Sequence, residues 1–570
     1  MEEPLQLVVR YLQEVSDNSD EVSRLIADGS PAMAIKAGYK QMVSLLSAEV
    51  HLRIYGVGDE RFVFATESQL ERNSVTDHIN HLRQKLISQI IEACIHVGDS
   101  ARLSEVLQLA KSRVLAASTF KRNLLDTVKN RDSICVKGDP NAISTPNTYV
   151  LTDVPAEEAL RSIAPKDSPF ALVDLCFCER LTEIHCVVAS LIDGQYRSRL
   201  IRLCDSAETS SLRQCTSLWL TATHRKQEAN LLQQILCQLG KVFTQTIEYM
   251  ASLGIEKVLL IPHRWLHLLP WHATHTVLDP TPLAERFSVV SYANNIMQYE
   301  QTLRLPDGFR PSEPAMIGMV DTKRTLCGWP MALELSGCWK GHKKVFGEFR
   351  RCDFLDTLAV HANIQLMAFF GHGLCNLRDY SKGGLLAEDG IVTFADLVSC
   401  GGGGKMFIAM LFACESGRNG YPEEIGDEYY AIDGAFLFRG AVHVFSSLWP
   451  VSDVATFLLG MRIIRGLSDN PDAPPARLLA EAVRWLRTGE WFLERDRYVS
   501  RLYFKKARDA APSLGREIAA TEERYWNCVS DLSADCFADP VYWAAWRCVG
   551  HGGEEPRGKD GSAPQWVAAE

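Results

Sequence analysis

The spacing of apolar residues separates an N-terminal part with helical periodicity from a longer part in which short apolar runs alternate with helices. Before about residue 135, apolar positions recur at helical spacing in four segments: Leu5–Val15, Ala32–Leu52, Val75–Val97 and Leu103–Val128. This pattern predicts a helical N-terminal domain over residues 1–135. Clusters of turn-forming residues follow it, among them Asp139-Pro-Asn and Thr145-Pro-Asn, and predict a linker over residues 136–167.

Residues 168–312 change to a mixed pattern of strands and helices. Two β-rich runs, Ala171–Cys178 and Ile184–Ile192, predict a hairpin because the second ends in the turn pair Asp193-Gly194. Three further elements are predicted from here to residue 312: a helix at Gln227–Leu253 and strands at Lys257–Pro262 and Phe287–Ala293. We interpret this region as a supporting lobe.

Residues 313–552 alternate regularly between buried strands and helices. The predicted strands are Ala315–Val320, Gln365–Phe370, Met406–Phe412 and Val442–Leu448. The predicted helices are Glu348–Ala362, Asp427–Arg439, Val454–Leu467 and Ala476–Arg487. This alternation predicts an α/β fold with a mostly parallel sheet flanked by helices. Residues 553–570 are polar, with glycine and proline, and predict a flexible tail.

Composition narrows the class of protein. The chain has 570 residues, a net charge of −10 and no basic stripe, which argues against direct nucleic-acid binding. No apolar run is long enough to predict a membrane span, and no signal peptide is visible. The 17 cysteines are scattered and form no Cys-x-x-Cys pair, which favours a reduced, cytoplasmic location without a bound cofactor or metal.

Two predicted strands end in reactive side chains with glycine close behind. Leu366-Met-Ala-Phe-Phe-Gly-His-Gly373 delivers His372, and Met406-Phe-Ile-Ala-Met-Leu-Phe-Ala-Cys-Glu-Ser-Gly417 delivers Cys414. In a parallel sheet both side chains would emerge at the carboxyl edge, where open α/β sheets place their ligands. A thiol beside an imidazole is the minimal apparatus of a cysteine hydrolase. We therefore predict Cys414 as nucleophile and His372 as its base, with the backbone N–H groups of Gly373 and Cys414 as an oxyanion hole.

These motifs stand in an order that resembles the CHAT domain, a caspase-like peptidase family related to separase. The remaining blocks are Leu269-Pro-Trp, Leu385-Leu-Ala-Glu-Asp-Gly, Ser447-Leu-Trp-Pro-Val-Ser-Asp and Asp539-Pro-Val-Tyr-Trp-Ala-Ala. The resemblance covers residues 168–552 and implies a caspase-haemoglobinase fold with a His/Cys dyad. It also implies that the N-terminal helices regulate the domain or bind a partner protein. The charged residues 488–534 depart from the pattern.

Analogy with separase implies that Asp453 accepts an Arg or Lys side chain before the scissile bond and that Trp449 forms a wall of this pocket. A second interpretation makes Ser452 or Asp453 the N-cap of the following helix. Rival acidic candidates are Glu424, Asp427 and Asp433.

Other side chains leave alternatives open. Cys375 lies close to His372 but does not end a strand, and Cys414 itself could be one more buried cysteine. His263-Arg-Trp-Leu-His267 has the spacing of a helical zinc pair, yet it lacks a metalloprotease glutamate and is bounded by prolines.

The sequence thus predicts a cysteine endopeptidase that cuts a protein substrate after Arg or Lys. The resemblance implies activation by a partner or signal in a defence or cell-death context. Two other functions remain open, a catalytically silent scaffold that binds partner proteins and a thiol hydrolase of small amides.

Overall fold

A computed structural model gives the architecture of most of the chain. It describes residues 15, 18, 20–55, 73–111, 155–165, 168–222, 225–303, 316–338, 342–361, 363–376, 382–400, 406–418, 429–470, 473–495 and 501–553. Four predicted segments therefore lie wholly or partly outside the described residues: Leu5–Val15 almost entirely, the second half of Leu103–Val128, most of the linker 136–167, and the tail after residue 553.

Fourteen strands form within the described residues. They are β1 (Phe170–Cys178), β2 (Glu183–Ile192), β3 (Gln195–Cys204), β4 (Lys257–Ile261), β5 (Val289–Tyr292), β6 (Met316–Val320), β7 (Lys343–Phe346), β8 (Ile364–Phe370), β9 (Gly373–Leu374), β10 (Gly384–Ala387), β11 (Gly390–Thr393), β12 (Met406–Phe412), β13 (Ala441–Ser447) and β14 (Trp546–Gly550). Eleven of them build one sheet in the order β3-β2-β1-β4-β5-β14-β13-β12-β8-β6-β7, and β11-β10-β9 form a small second sheet.

The large sheet is mostly parallel, as predicted. The strands β1, β4, β5 and β14 run parallel to one another, and so do β13, β12, β8, β6 and β7. The two sets meet where β14 pairs antiparallel with β13. Because β6, β8, β12 and β13 run parallel to one another, their carboxyl ends share one edge of the sheet. The last strand of the chain thereby joins the two predicted lobes into one sheet.

The helices cover both faces of the sheet and form the N-terminal part of the chain. They are α1 (Glu21–Ala27), α2 (Pro31–Tyr55), α3 (Asn73–Val97), α4 (Ser100–Ala110), α5 (Ala156–Ile163), α6 (Ser206–Leu220), α7 (Arg225–Ser252), α8 (Leu283–Arg286), α9 (Ile296–Thr302), α10 (Gly328–Cys338), α11 (Arg351–Val360), α12 (Phe394–Ser399), α13 (Ile432–Phe438), α14 (Asp453–Asp469), α15 (Pro475–Arg487), α16 (Arg501–Ala510), α17 (Gly515–Val529) and α18 (Pro540–Trp543). None of these helices combines the length and apolar character needed to cross a membrane.

Several elements differ from the sequence-based expectation. The predicted hairpin has a third strand, β3, whose alternation of arginine with apolar residues conceals it. The predicted linker contains α5, which buries Leu160 and Ile163. The segment that begins at His263 is a short 3-10 helix, Arg264–Leu268, and not an α-helix. The charged 488–534 segment is helical, as its sequence predicts, and contains α16 and α17, which bury Phe504 and Tyr525.

A buried polar cluster attaches the N-terminal helices to the sheet. Lys111, at the end of α4, forms an ion pair with Asp174 in β1, and both side chains are almost completely buried. The Lys111 ammonium group also donates to the carbonyls of Leu175 (3.1 Å) and Ile261 (2.7 Å). Gln108 of α4 donates to Asp174 as well, at 2.7 Å. The helical segment is therefore docked on the sheet through charged as well as apolar contacts.

Candidate functional site at the carboxyl edge of the sheet

The two predicted catalytic side chains follow neighbouring strands at equivalent positions. Strands β8 and β12 pair in parallel with Phe370 opposite Phe412, and the Gly371 N–H donates to the Phe412 carbonyl at 3.2 Å. His372 and Cys414 each stand two residues beyond that pair. Adjacent strands lie about 4.8 Å apart, so the register brings both residues to the same part of the edge. The prediction that both strands deliver their residues to one edge is confirmed.

Cys414 lies in a turn that is fixed by hydrogen bonds of the Ser416 and Ser447 hydroxyl groups. Ser447 at the end of β13 donates its hydroxyl to the Ala413 carbonyl at 2.7 Å, and its N–H donates to the Ser416 hydroxyl at 3.1 Å. Glu415 adopts a left-handed backbone conformation, with φ of 56°. A non-glycine residue in this region is strained, and such strain is a feature of functional turns. Cys414 itself is half-buried in this turn.

A loop after a third strand holds His372. Its Nε2 lies 3.2 Å from the Arg324 carbonyl oxygen, so Nε2–H is the donor in this bond. That assignment leaves Nδ1 as the nitrogen with a free lone pair. Arg324 is fixed by the nearly buried Asp321, whose carboxylate accepts from the Arg324 N–H at 3.0 Å and pairs with its guanidinium. Among the described residues, no hydrogen bond joins the His372 imidazole to the Cys414 thiol.

Gly373 lies against the nucleophile turn. A Cβ atom at this position would lie 2.2 Å from the Cys414 carbonyl oxygen, so only glycine fits. The preceding carbonyl, that of His372, accepts from the Leu386 N–H of β10 at 2.9 Å. Because hydrogen-bonding direction alternates along an antiparallel strand, the Gly373 N–H faces away from β10. It therefore lies on the side of β9 opposite β10.

Glu415 links the two turns. Its carboxylate accepts from the Cys375 N–H at 3.1 Å and forms an ion pair with Arg418. Arg418 is itself almost buried, so this pair is shielded from water. The His372 segment and the Cys414 segment are thereby connected by a side chain as well as by the strand ladder.

The environment of Cys414 opposes ionisation of its thiol. Burial is the main cause that raises the pKa of Cys414, and the nearby carboxylates of Asp453 and Glu415 raise it further, whereas the Val451 backbone N–H opposes the rise. Chemistry through a thiolate therefore requires a base beside the sulfur.

Asp453 is the first residue of α14, and Ser452 occupies the N-cap position. The Oδ2 atom of Asp453 accepts from the Leu326 N–H at 2.9 Å. Within the described part of the chain, the Asp453 carboxylate accepts no other hydrogen bond, and Oδ1 is open to another donor. The negative charge of Asp453 is one of the causes that raise the pKa of Cys414.

Trp449 does not line an open pocket. Its side chain is 1% exposed, its indole N–H donates to the Val541 carbonyl at 2.9 Å, and it stacks edge-on against Trp219 at 5.1 Å. The expectation that Trp449 forms a pocket wall is therefore wrong for this conformation. The indole packs into the core because its single polar group is satisfied there.

The rival residues that the structure describes, Asp433, Cys375, His263 and His267, are buried or packed within the fold. Asp433 is buried in an ion pair with Arg547 at 2.9 Å, out of contact with solvent, and Glu424 and Asp427 lie outside the described residues. Burial raises the pKa of the Cys375 thiol to about 12, far from a nucleophilic range. His263 accepts from the Phe177 N–H at 3.3 Å, and His267 packs on Tyr429, so this pair contributes to packing.

Sequence reasoning missed three groups that hold the site. They are the Arg324 carbonyl, the Asp321 carboxylate and the Glu415 carboxylate that bridges the two turns. Asp321 directly follows a buried strand, and this placement was a usable signal. The Arg324 contact is made by a backbone atom, which leaves no trace in residue type.

The chain is similar to one protein family and to solved structures. The family model described as "CHAT domain" matches residues 229–551, more than half of the chain. Two structures of the Saccharomyces cerevisiae separase–securin complex, at 2.6 and 3.0 Å resolution, are similar to this chain with TM-scores of 0.43 and 0.40 and identities of 10% and 11%. Each covers 84% of this chain, which spans 39% and 48% of the matched chains. No curated protein matches.

Proposed function

The chain belongs to the CHAT domain family, and from this premise and the site geometry we propose that it is a cysteine endopeptidase with Cys414 as nucleophile and His372 as base. The observation that carries the proposal is the shared register of β8 and β12, which gives both residues the same offset beyond Phe370 and Phe412. The proposed location is cytoplasmic, and the proposed context is defence or cell death.

The first proposed step is proton transfer from the Cys414 thiol to Nδ1 of His372. The Arg324 carbonyl holds the other ring nitrogen, Nε2–H, and favours the tautomer that can accept this proton. The thiolate then attacks the peptide carbonyl carbon. The resulting oxyanion accepts hydrogen bonds from the N–H groups of Gly373 and Cys414. Each such bond lowers the barrier by about 3 kcal/mol in comparable hydrolases.

Collapse of the tetrahedral intermediate breaks the C–N bond. Nδ1–H of His372 gives its proton to the leaving amine, and a thioester to Cys414 remains. A water molecule, deprotonated by the same Nδ1, attacks the thioester carbonyl and regenerates the thiol. Each proton that Nδ1 accepts is returned within the cycle, so the dyad needs no external acid.

The proposed substrate carries Arg, or less favourably Lys, before the scissile bond. The support is the Asp453 carboxylate, which follows by two residues the Val451 backbone N–H that bonds to the Cys414 thiol, and which keeps Oδ1 open. A guanidinium forms stronger and more directional bonds with a carboxylate than an ammonium does, which favours Arg.

A regulated resting state agrees with the geometry. The thiol pKa is raised and, among the described residues, no hydrogen bond joins thiol and imidazole. We infer that a partner protein or signal, acting through the N-terminal helices docked on β1, brings the two groups together. The rival function, a silent scaffold that binds partners, predicts that the dyad never assembles.

A thiol-reactive arginyl ketone tests the proposed dyad. We expect an adduct on Cys414, located by mass spectrometry of proteolytic peptides, in the wild-type chain incubated with candidate activating partners. His372→Ala should lose most of the adduct because the base is missing. Cys375→Ala is the matched control and should retain it. Absence of an adduct on Cys414 under every activating condition would support the scaffold.

Asp453→Asn tests the substrate preference. The amide keeps the shape and an acceptor for Leu326 but loses the charge, so we expect the preference for Arg over neutral residues to fall about tenfold or more, as for loss of one charged hydrogen bond. Cleavage-site profiling of a peptide library measures this ratio. An unchanged preference for Arg would remove Asp453 from the proposed pocket.

A further inference from the structure

One short segment touches both the proposed base and the proposed substrate-binding carboxylate. This bridging loop, residues 321–327, connects β6 to α10. Its Arg324 carbonyl accepts from Nε2–H of His372 at 3.2 Å. Two residues later, the Leu326 N–H donates to Oδ2 of Asp453 at 2.9 Å.

The bridging loop is tightly wound and fixed at its start. The Asp321 N–H donates to the Phe370 carbonyl at 2.8 Å, which attaches the loop to β8 just before His372. The Thr325 N–H returns to the Asp321 carbonyl at 3.2 Å. At its end, a Cβ atom on Gly328 would lie 2.7 Å from the same carbonyl oxygen, so the turn has no spare room. A loop this compact moves as a unit when one of its contacts is lost.

A second brace lies on the side of the small sheet. The Arg324 guanidinium donates to the Leu386 carbonyl of β10 at 2.9 Å while it pairs with Asp321. The His372 carbonyl accepts from the Leu386 N–H. Arg324 and His372 therefore share Leu386 as a backbone partner, and the position of the loop and that of the imidazole depend on each other.

We propose that Asp453 is a positioning residue for His372 and acts on it through the bridging loop. This role is additional to the proposed contact of Asp453 with substrate. By accepting from Leu326, Asp453 fixes the loop, and the loop holds the imidazole in the tautomer with Nδ1 free. A basic side chain that pairs with Oδ1 immobilises the same carboxylate. Binding of the preferred residue thus stabilises the base that acts on its own peptide bond. This inference rests on the proposed function.

A matched pair of variants separates the hydrogen bond from the charge. Asp453→Asn and Asp453→Ala both remove the negative charge beside Cys414, but only the asparagine retains an oxygen for the Leu326 N–H. The readout is the rate at which iodoacetamide alkylates Cys414 as a function of pH, measured in every variant with the same candidate activating partners as in the ketone experiment, and with the site located by peptide mass spectrometry. We expect alanine to be about tenfold slower than asparagine near neutral pH, the order expected for one net hydrogen bond.

Additional variants keep the outcome interpretable. Leu326→Pro removes the donor N–H without touching Asp453 and should reproduce the slow alkylation of Asp453→Ala. Asp469→Asn, at the far end of α14, is the control and should match wild type. Circular dichroism shows whether each variant is folded, and a misfolded Leu326→Pro leaves the asparagine–alanine comparison as the test.

The outcomes distinguish the inference from the proposed function. Equal rates in Asp453→Asn and Asp453→Ala, with His372→Ala slower than wild type, would overturn the coupling and leave the dyad intact. Equal rates in His372→Ala and wild type would overturn the proposed base and the coupling with it. The readout requires no peptide substrate, so it does not depend on the specificity assignment.

Discussion

Individual residues at this site are held mostly by backbone atoms. His372 is oriented by the Arg324 carbonyl, and Cys375 is held through its N–H by Glu415. The sequence made His372 and Cys414 predictable because each ends an apolar run and precedes a glycine-containing turn. It could not predict their holders, since a carbonyl or amide is present at every position whatever its side chain. Trp449 was misplaced for the opposite reason, because an aromatic residue fits a pocket wall and a core equally well.

The charges around the thiol predict its pH dependence. The pKa of Cys414 is raised, so its thiolate should form only at a higher pH than in an unperturbed cysteine. Asp453→Asn removes a negative neighbour that disfavours the thiolate, and the midpoint of Cys414 alkylation should therefore move to lower pH. Alkylation followed by peptide mass spectrometry from pH 6 to about pH 11 would measure the midpoint. Exposed Cys237 is the internal control, and its midpoint should not change. A midpoint of Cys414 that stays in place would show that Asp453 does not act electrostatically on the thiol.

Elements follow the apolar pattern closely where the sheet is buried on both faces. Strands β8, β12 and β13 were predicted within one residue at each end because most of their side chains are apolar and nearly all are buried. Strand β3 was missed because it lies at the sheet edge, where its exposed glutamine, serine and arginines interrupt the apolar pattern. The short strands β9–β11 were missed because they contain too few residues for a period to emerge.

The docking of α4 on the sheet gives a prediction about stability. Lys111→Met leaves the buried Asp174 carboxylate without its cation, and it should lower the free energy of unfolding by about 3–5 kcal/mol. Chemical denaturation followed by far-UV circular dichroism measures the change. The comparison is Lys85→Met, which breaks the exposed pair with Asp20 and should change little because water already solvates both charges. Similar effects of the two substitutions would mean that the buried pair does not hold α4.

At the scale of the whole molecule, the last strand joins two oppositely directed halves of one sheet. Strand β14 pairs with β5 of the first lobe and β13 of the second, and Trp546 packs edge-on against Phe412 at 5.7 Å. Arg547 in the same strand donates to the Gly417 carbonyl at 2.6 Å, just beyond the Cys414 turn. The sequence indicated two lobes but gave no sign of this order, because strand pairing between distant segments depends on the assembled core.

Removal of β14 should therefore affect more than its own segment. A chain truncated after Ala538 leaves the facing edges of β5 and β13 unpaired, and we expect it to lose cooperative thermal unfolding and soluble yield. A chain truncated after Gly553 keeps every described strand and serves as the comparison. Differential scanning calorimetry measures both. Equal transitions in the two truncated chains would contradict a joining role for β14.

The equivalent offsets of His372 and Cys414 have a consequence for divergence. Hydrogen bonds between β8 and β12 determine the separation of the two residues, and the roughly forty residues between them do not. Insertions or deletions in the part of that stretch between Leu386 and β12 can change the surface around the site without moving His372, Gly373 or Cys414, the residues proposed to carry the chemistry. New substrate preferences can accordingly arise there by exchange of whole segments, with the reactive pair inherited unchanged.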